Sequence, residues 1–153
     1  MGNRRKQRET IASVLREENT LALATTDEQG QPCVAPVYYI ADEELTLYWL
    51  SSETSLHSRN LKRAPMAAGA IYRHTENWNE IRGVQLRGPV TVIDDSDRRR
   101  ALIAAYCERF QLGALFKTAI SRCSLYALRP VLFRYIDNST VFGHGFEIAL
   151  EGE

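Results

Sequence analysis

The chain carries no charge of either sign in excess: nineteen Lys and Arg residues balance nineteen Asp and Glu residues. That balance argues against an extended electrostatic surface for nucleic acid, which depends on massed cations. No apolar run approaches the ~20 residues needed to span a bilayer. The opening Met-Gly-Asn-Arg-Arg-Lys-Gln-Arg is basic, but it leads into Glu-Thr and amphipathic sequence rather than the apolar core of a signal peptide. The expectation is a cytoplasmic protein with no membrane and no nucleic-acid partner. Cysteine is scarce. Cys33, Cys107 and Cys123 are odd in number, widely spaced and without a Cys-x-x-Cys pair, which argues against a disulfide framework or a structural zinc and fits reduced cytoplasmic thiols. Histidine is equally sparse. His74 and His144 stand far apart, no His-x-x-x-His or His-Glu-x-x-His pattern occurs, and no metal site is expected. P-loop, nucleophile-elbow and Gly-x-Gly-x-x-Gly motifs are absent as well.

What is present is ordinary globular material, 44% apolar and 25% charged over 153 residues, consistent with one domain spanning 1–153. Ile11, Val14 and Leu15 lie at helical spacing and predict an amphipathic helix over about 9–18. Leu21–Thr26 reads as a strand and Asp27–Gly30 as a turn, followed by a second strand over Cys33–Ile40, in which Pro36 interrupts the ladder. Ala41–Glu44 turns into a third strand, Leu45–Leu50. Tight polar turns between the three predict an antiparallel meander. A short helix over Leu56–Arg63 and a fourth strand, Met66–Tyr72, come next. Ile81–Ile93 alternates as a long strand, with a bulge or bend expected at Gly88-Pro89. Asp94–Asp97 caps a helix over about 97–110, expected to bury Leu102, Ile103, Ala105 and Tyr106. Strands at Leu125–Leu128 and Val131–Ile136 and a glycine-rich segment at Val141–Phe146 close the chain over about 125–148. The total is six or seven strands in a small antiparallel β-barrel, a mainly β (α+β) fold with peripheral helices.

The most informative stretch is Leu45–Asn60. An apolar strand gives way to Ser51, Ser52, Thr54 and Ser55, then to His57 and Arg59 at the start of a helix. Small hydroxyl donors and a cation delivered into a helix start can hold a phosphate. The same residues can equally be a solvated turn whose serine caps the helix, and composition alone leaves both open.

The order of parts resembles the pyridoxamine 5'-phosphate oxidase-like, FMN-binding split-barrel family. Leu21–Thr26 with Gly30-Gln31-Pro32 and Pro36-Val37 looks like its opening hairpin. Leu47–Asn60 looks like its phosphate motif, Ala64–Ala68 like the entry to strand four, and Ile81–Pro89 like the strand that completes the barrel. Together these span about 11–93, a barrel core of about 21–93, and Asp137-Asn138 with Phe142-Gly143 fits an uncharacterised bacterial subgroup.

The resemblance implies an antiparallel split β-barrel and FMN as cofactor. It implies Ser51, Ser55 and His57 at the flavin phosphate, with His57 standing where the family has lysine. It sets Ala35, Pro36 and Val37 of strand two, and Leu50 of strand three, beside the isoalloxazine. Strand five supplies either Arg82 or Gln85, which lie on opposite faces; Gln85 is preferred, with Arg87 on the same face. A homodimer with the cofactor at its interface follows from the same likeness. Strand two contains no basic residue, which points away from pyridoxamine phosphate itself as substrate. An oxidoreductase acting on a small organic substrate is the leading expectation. A non-catalytic flavin- or haem-binding or storage protein is the alternative, and a deazaflavin is a third possibility.

Overall fold

A computed structural model describes residues 2–150. Its helices are α1 (Gly2–Glu17), α2 (Leu56–Arg63), α3 (Ser96–Arg109) and α4 (Ala114–Ile120), with a single 3-10 turn at Trp78–Glu80. Its strands are β1 (Thr20–Thr26), β2 (Pro32–Tyr38), β3 (Ile40–Ala41), β4 (Leu47–Ser52), β5 (Met66–Tyr72), β6 (Arg82–Val92), β7 (Cys123–Leu128), β8 (Leu132–Asp137) and β9 (Gly145–Ala149).

All strand pairings among the described residues are antiparallel, and the two surfaces they build are joined by β6, whose two ends belong to different surfaces. Residues 83–89 of β6 pair with β5, and 82–87 pair with β8 on the other side. Beyond Pro89 the strand changes partner, and Val90–Val92 pair with β7. The exchange happens at Gly88-Pro89, where the sequence predicts a bend. A Cβ on Gly88 would overlap the Arg129 carbonyl, so the crossing needs glycine. One curved surface is therefore β2-β1-β5-β6-β8-β9, and the other is β6-β7-β4-β3. β2 and β4 approach each other without pairing, which leaves the barrel split.

The expected three-strand meander is not formed. β1 and β2 make the hairpin, but β4 pairs with β7, from Leu47 opposite Leu128 to Ser52 opposite Cys123, and with the two-residue β3. The expected second strand breaks at Tyr39, where the chain crosses from one surface to the other. Tyr39 is fully buried there, and its hydroxyl donates to the Leu15 carbonyl at 2.9 Å. Pro36 is accommodated because β2 is an edge strand with no ladder on its outer side. The third strand begins at Leu47 rather than Leu45. The Asp42 carboxylate accepts from the amides of Glu44 and Thr46, and the turn it organises holds Leu45 at a φ of 68°. Nine strands among the described residues replace the six or seven expected. α1 starts well before residue 9, and Ala105 is exposed rather than buried, leaving Tyr106 as the buried residue of α3.

Two apolar clusters hold this together. Inside the barrel lie Leu21, Leu23, Leu47, Trp49, Ile71, Leu128 and Phe133, closed by Ile11, Val14 and Leu15 of α1. Outside the β3-β4-β7 surface, Tyr48, Leu125 and Tyr106 pack beneath α3. Burying each aliphatic side chain of α1 contributes about 1.5–3 kcal/mol. The half-exposed Arg82–Glu17 ion pair at 3.1 Å contributes at most ~1 kcal/mol. Apolar burial, not that bridge, seats α1. The C-terminal end of α1 is closed by Arg109, which donates to the carbonyls of Arg16 and Glu18 and to Asn19 Oδ1.

Candidate functional site

Successive residues of a strand face opposite sides. Leu47, Trp49 and Ser51 of β4 therefore share the barrel side, while Tyr48 and Leu50 face α3. The inward row is apolar until it ends in one buried hydroxyl, Ser51. The chain then turns, with the Ser55 amide donating to the Ser52 carbonyl at 3.1 Å. Ser55 becomes the N-cap of α2 and accepts from the Ser58 amide at 3.3 Å. That cap carries His57, one residue into the helix, back over the end of β4. Its Nε2 lies 2.8 Å from Ser51 Oγ and 3.2 Å from Ser55 Oγ. Ser55 also donates to Ser58 Oγ at 2.8 Å. The helix is fixed from behind by Asn60, whose buried amide donates to Thr25 Oγ1 of β1 at 3.0 Å.

Ser51, Ser55 and His57, expected at one phosphate, are thus members of one hydrogen-bonded cluster. Half-burial of the His57 imidazole pushes its pKa below the ordinary value, so near neutral pH it is uncharged. The other cations of α2 are directed elsewhere. Arg63 donates to the carbonyls of Thr26 and Asp27, and Arg59 and Lys62 line the opposite flank of the helix. Positive charge in the cluster comes from protonating His57 and from the start of α2, whose first-turn amides have no intrahelical acceptor. Two hydroxyls, an imidazole and a helix start form a donor set suited to a phosphate monoester.

The remaining expected residues lie on other surfaces. Register aligns Pro36, Ala22, Ala70, Gln85, Arg134 and Glu147 in one row across six strands. Val34, Ala24, Ala68, Arg87 and Leu132 form the next row. All of these except Pro36 line an open groove of about 550 Å³ on the outside of the barrel. Gln85 and Arg87 therefore share a face, as expected, and that face carries Pro36. Ala35 and Val37 stand opposite Leu23 and Leu21 and face inward, with Val37 buried in the core. Leu50 packs against the cluster under α3. Arg82, the alternative to Gln85, points into the barrel end, where it donates to Tyr135 Oη at 3.1 Å and pairs with Glu17. No hydrogen bond among the described residues joins Gln85 or Arg87 to the Ser51–His57 cluster.

A family model described as pyridoxamine 5'-phosphate oxidase matches residues 7–136. The chain belongs to this family. Among its relatives is the UPF0306 protein of Yersinia pseudotuberculosis, 23% identical over 133 residues, covering 87% of this chain and 86% of that one. Similar solved structures include HutZ, the haem storage protein of Vibrio cholerae, with a TM-score of 0.68 and 23% identity over 81% of this chain and 89% of that one. Another is a putative pyridoxamine 5'-phosphate oxidase of Listeria innocua, with a TM-score of 0.70 and 15% identity over 86% and 98%. At such identities the structural likeness establishes the split-barrel fold alone.

Some residues that build these surfaces of the family fold were not singled out from the sequence. Ser58 is buried and bonded to the capping serine, a role signalled only by its place three residues after Ser55. Arg134 and Glu147 enter the outer groove through the pairing of β8 with β6 and β9, which no local pattern announces. No group of three or more potential metal ligands occurs among the described residues. No helix there is long and apolar enough to cross a membrane.

Proposed function

We propose that the protein binds FMN and acts as a flavoprotein oxidoreductase on a small organic substrate. The observation that carries this reading is the convergence of Ser51, Ser55 and His57 at the start of α2. The donor set fits the phosphate end of FMN, with protonated His57 replacing the fixed charge of a lysine. Bound flavin would supply the redox chemistry. The chain's part is to grip the phosphate, with Ser51 as a hydroxyl donor, Ser55 as a second one once its proton turns from Ser58 Oγ to the phosphate, and His57 as the proton-dependent one. Strand β2, Pro-Cys-Val-Ala-Pro-Val-Tyr, has no cation to grip a second phosphate, which supports a substrate other than pyridoxamine phosphate.

The outer groove supports a homodimer in the same reading. An antiparallel sheet with one wet face normally alternates apolar-in and polar-out. Here the outward rows are Pro36, Ala22 and Ala70 beside Val34, Ala24 and Ala68, a flat floor of small apolar side chains. Val34 is 69% exposed and Tyr72, further along the same face of β5, is 61% exposed. A second copy would cover this face, with Gln85 and Arg87 inside the contact.

The experiment is an FMN titration followed by the flavin absorbance bands, together with analysis of the cofactor that co-purifies. A colourless protein that does not take up added FMN would overturn the reading. A second reading, haem storage, is favoured by the likeness to HutZ, named as a haem storage protein. A Soret band on haem addition that disappears on replacing His57 or His144 would select it over FMN.

A further inference from the structure

Helix α2 has two flanks, and only one faces β1 and the His57 cluster. On the other, α2 stands away from the β6–β7 pair and encloses a cavity of about 440 Å³, within the range of small-molecule sites. Its deep wall is apolar. Val90 pairs with Leu128 and Val92 with Tyr126, so this row continues the inward face of the barrel. Leu61 of α2 closes the opposite side. The row is incompletely covered, however, and Val92 at its end is 45% exposed. Inward-facing apolar surface left open to solvent forgoes about 25 cal/mol for each Å² that a ligand would cover.

The lip of the cavity is cationic. Arg59 and Lys62, one turn apart on α2, line it and take part in none of the ion pairs found among the described residues. The lip also carries one carboxylate, Glu53, which accepts from Ser124 Oγ at 2.7 Å, so the two cations leave an excess of one positive charge there. Thr54 and Ser58 add hydroxyls between the cations and the apolar wall. A ligand matching both parts has an apolar body for the Val90–Val92–Tyr126 wall and an anionic head for Arg59 and Lys62.

We propose that this cavity is a binding site for a small organic acid, an apolar body carrying one carboxylate. The cavity meets the Ser51–Ser55–His57 cluster at Ser58, whose hydroxyl accepts from Ser55, but Ser51, Ser55 and His57 do not line it, and the proposal does not depend on the flavin reading. Octanoate is the probe, titrated calorimetrically into the full-length protein, with octanol as its uncharged counterpart. Octanoate is expected to bind saturably and about fivefold tighter than octanol, the discrimination of roughly one solvent-exposed charge pair. Arg59→Gln combined with Lys62→Gln is expected to bring octanoate down to the level of octanol without changing the thermal unfolding midpoint, since neither side chain is in an ion pair or buried. Val92→Trp, at a half-exposed position that fills the cavity, is expected to abolish binding of both. Equal affinities for octanoate and octanol, or octanoate binding unchanged in either variant, would overturn the proposal.

Discussion

His57 Nε2 lies 2.8 Å from Ser51 Oγ, a contact that joins the first turn of α2 to the end of β4 across the turn between them. Half-burial of that imidazole sets the protonation behaviour of the candidate site. Burial favours the neutral imidazole, whereas a bound phosphate dianion favours the cation. FMN affinity is therefore expected to fall as pH rises from about 6.5 to 8, because fewer molecules carry the imidazolium that the phosphate needs. His57→Gln should bind FMN several-fold more weakly and lose most of that pH dependence. Titrations at a series of pH values, monitored by flavin fluorescence, test this.

The same imidazole affects stability without ligand. Its pKa is depressed on folding, so the unfolded chain binds the proton more readily, and stability rises with pH between the folded value and about 6.5. Above that window the group contributes no slope. Thermal midpoints measured without FMN should drop as pH falls below about 6.5, and the drop should be smaller in His57→Gln. An unchanged pH profile would mean that His57 is equally hydrated in both states.

The alanine floor yields a test of assembly. Ala24 and Ala68 are direct cross-strand neighbours in the middle of the outer face, and Ala68 is exposed. Val34→Glu would put a carboxylate on this face beside Ala24, three strands away from Arg87, where a second copy covering the face would bury it without a cation from its own chain. Sedimentation velocity should show a dimer for the wild type and a monomer for the variant, with the same far-UV circular dichroism. A wild-type monomer would remove the dimer from the functional reading.

Local chemistry was legible and distant pairing was not. The bounds of α2 follow from a capping serine and a terminal Ala64-Pro65, and the change of partner in β6 from Gly88-Pro89. Ser51 and His57 meet because a strand end and a helix start are tied by a short turn, so their proximity is encoded within seven residues of sequence. The partner of β4 is not encoded that way. Leu47 opposite Leu128 is a contact between remote segments, and the polar turn at Asp42 is as compatible with a meander as with a strand that leaves its sheet. The outer floor escaped notice for a related reason. Single alanines in β1 and β5 say nothing until register lines Ala22, Ala24, Ala68 and Ala70 up side by side.

Gly88 marks the point where β6 passes between surfaces. Its missing Cβ is filled by the backbone of Arg129 and Pro130, which cannot rotate aside as a side chain would. Gly88→Ala is therefore expected to cost about 2–3 kcal/mol, at the upper end for overpacking. Denaturant unfolding should show a lower midpoint with an unchanged slope. Gly30, in the β1–β2 turn, is different: a Cβ there meets nothing within 4 Å, and only its φ of 77° favours glycine, so Gly30→Asn should be nearly neutral.

Ser55 serves both as helix cap and as a member of the cluster, and the two roles can be separated. Its hydroxyl accepts from the Ser58 amide as the N-cap of α2 and sits 3.2 Å from His57 Nε2. Ser55→Ala removes both functions and should cost about 1 kcal/mol of stability along with a several-fold loss of FMN affinity. Ser55→Asp preserves the cap, because aspartate accepts from the same amide and favours the positive end of a helix. It also sets a carboxylate where the phosphate would lie. The expected pattern is a thermal midpoint close to wild type with FMN binding lost, since like charges at that separation repel strongly in a half-buried site. If Ser55→Asp bound FMN as the wild type does, the phosphate would have to lie away from the start of α2, and the carrying observation for the flavin reading would fail while the fold stood.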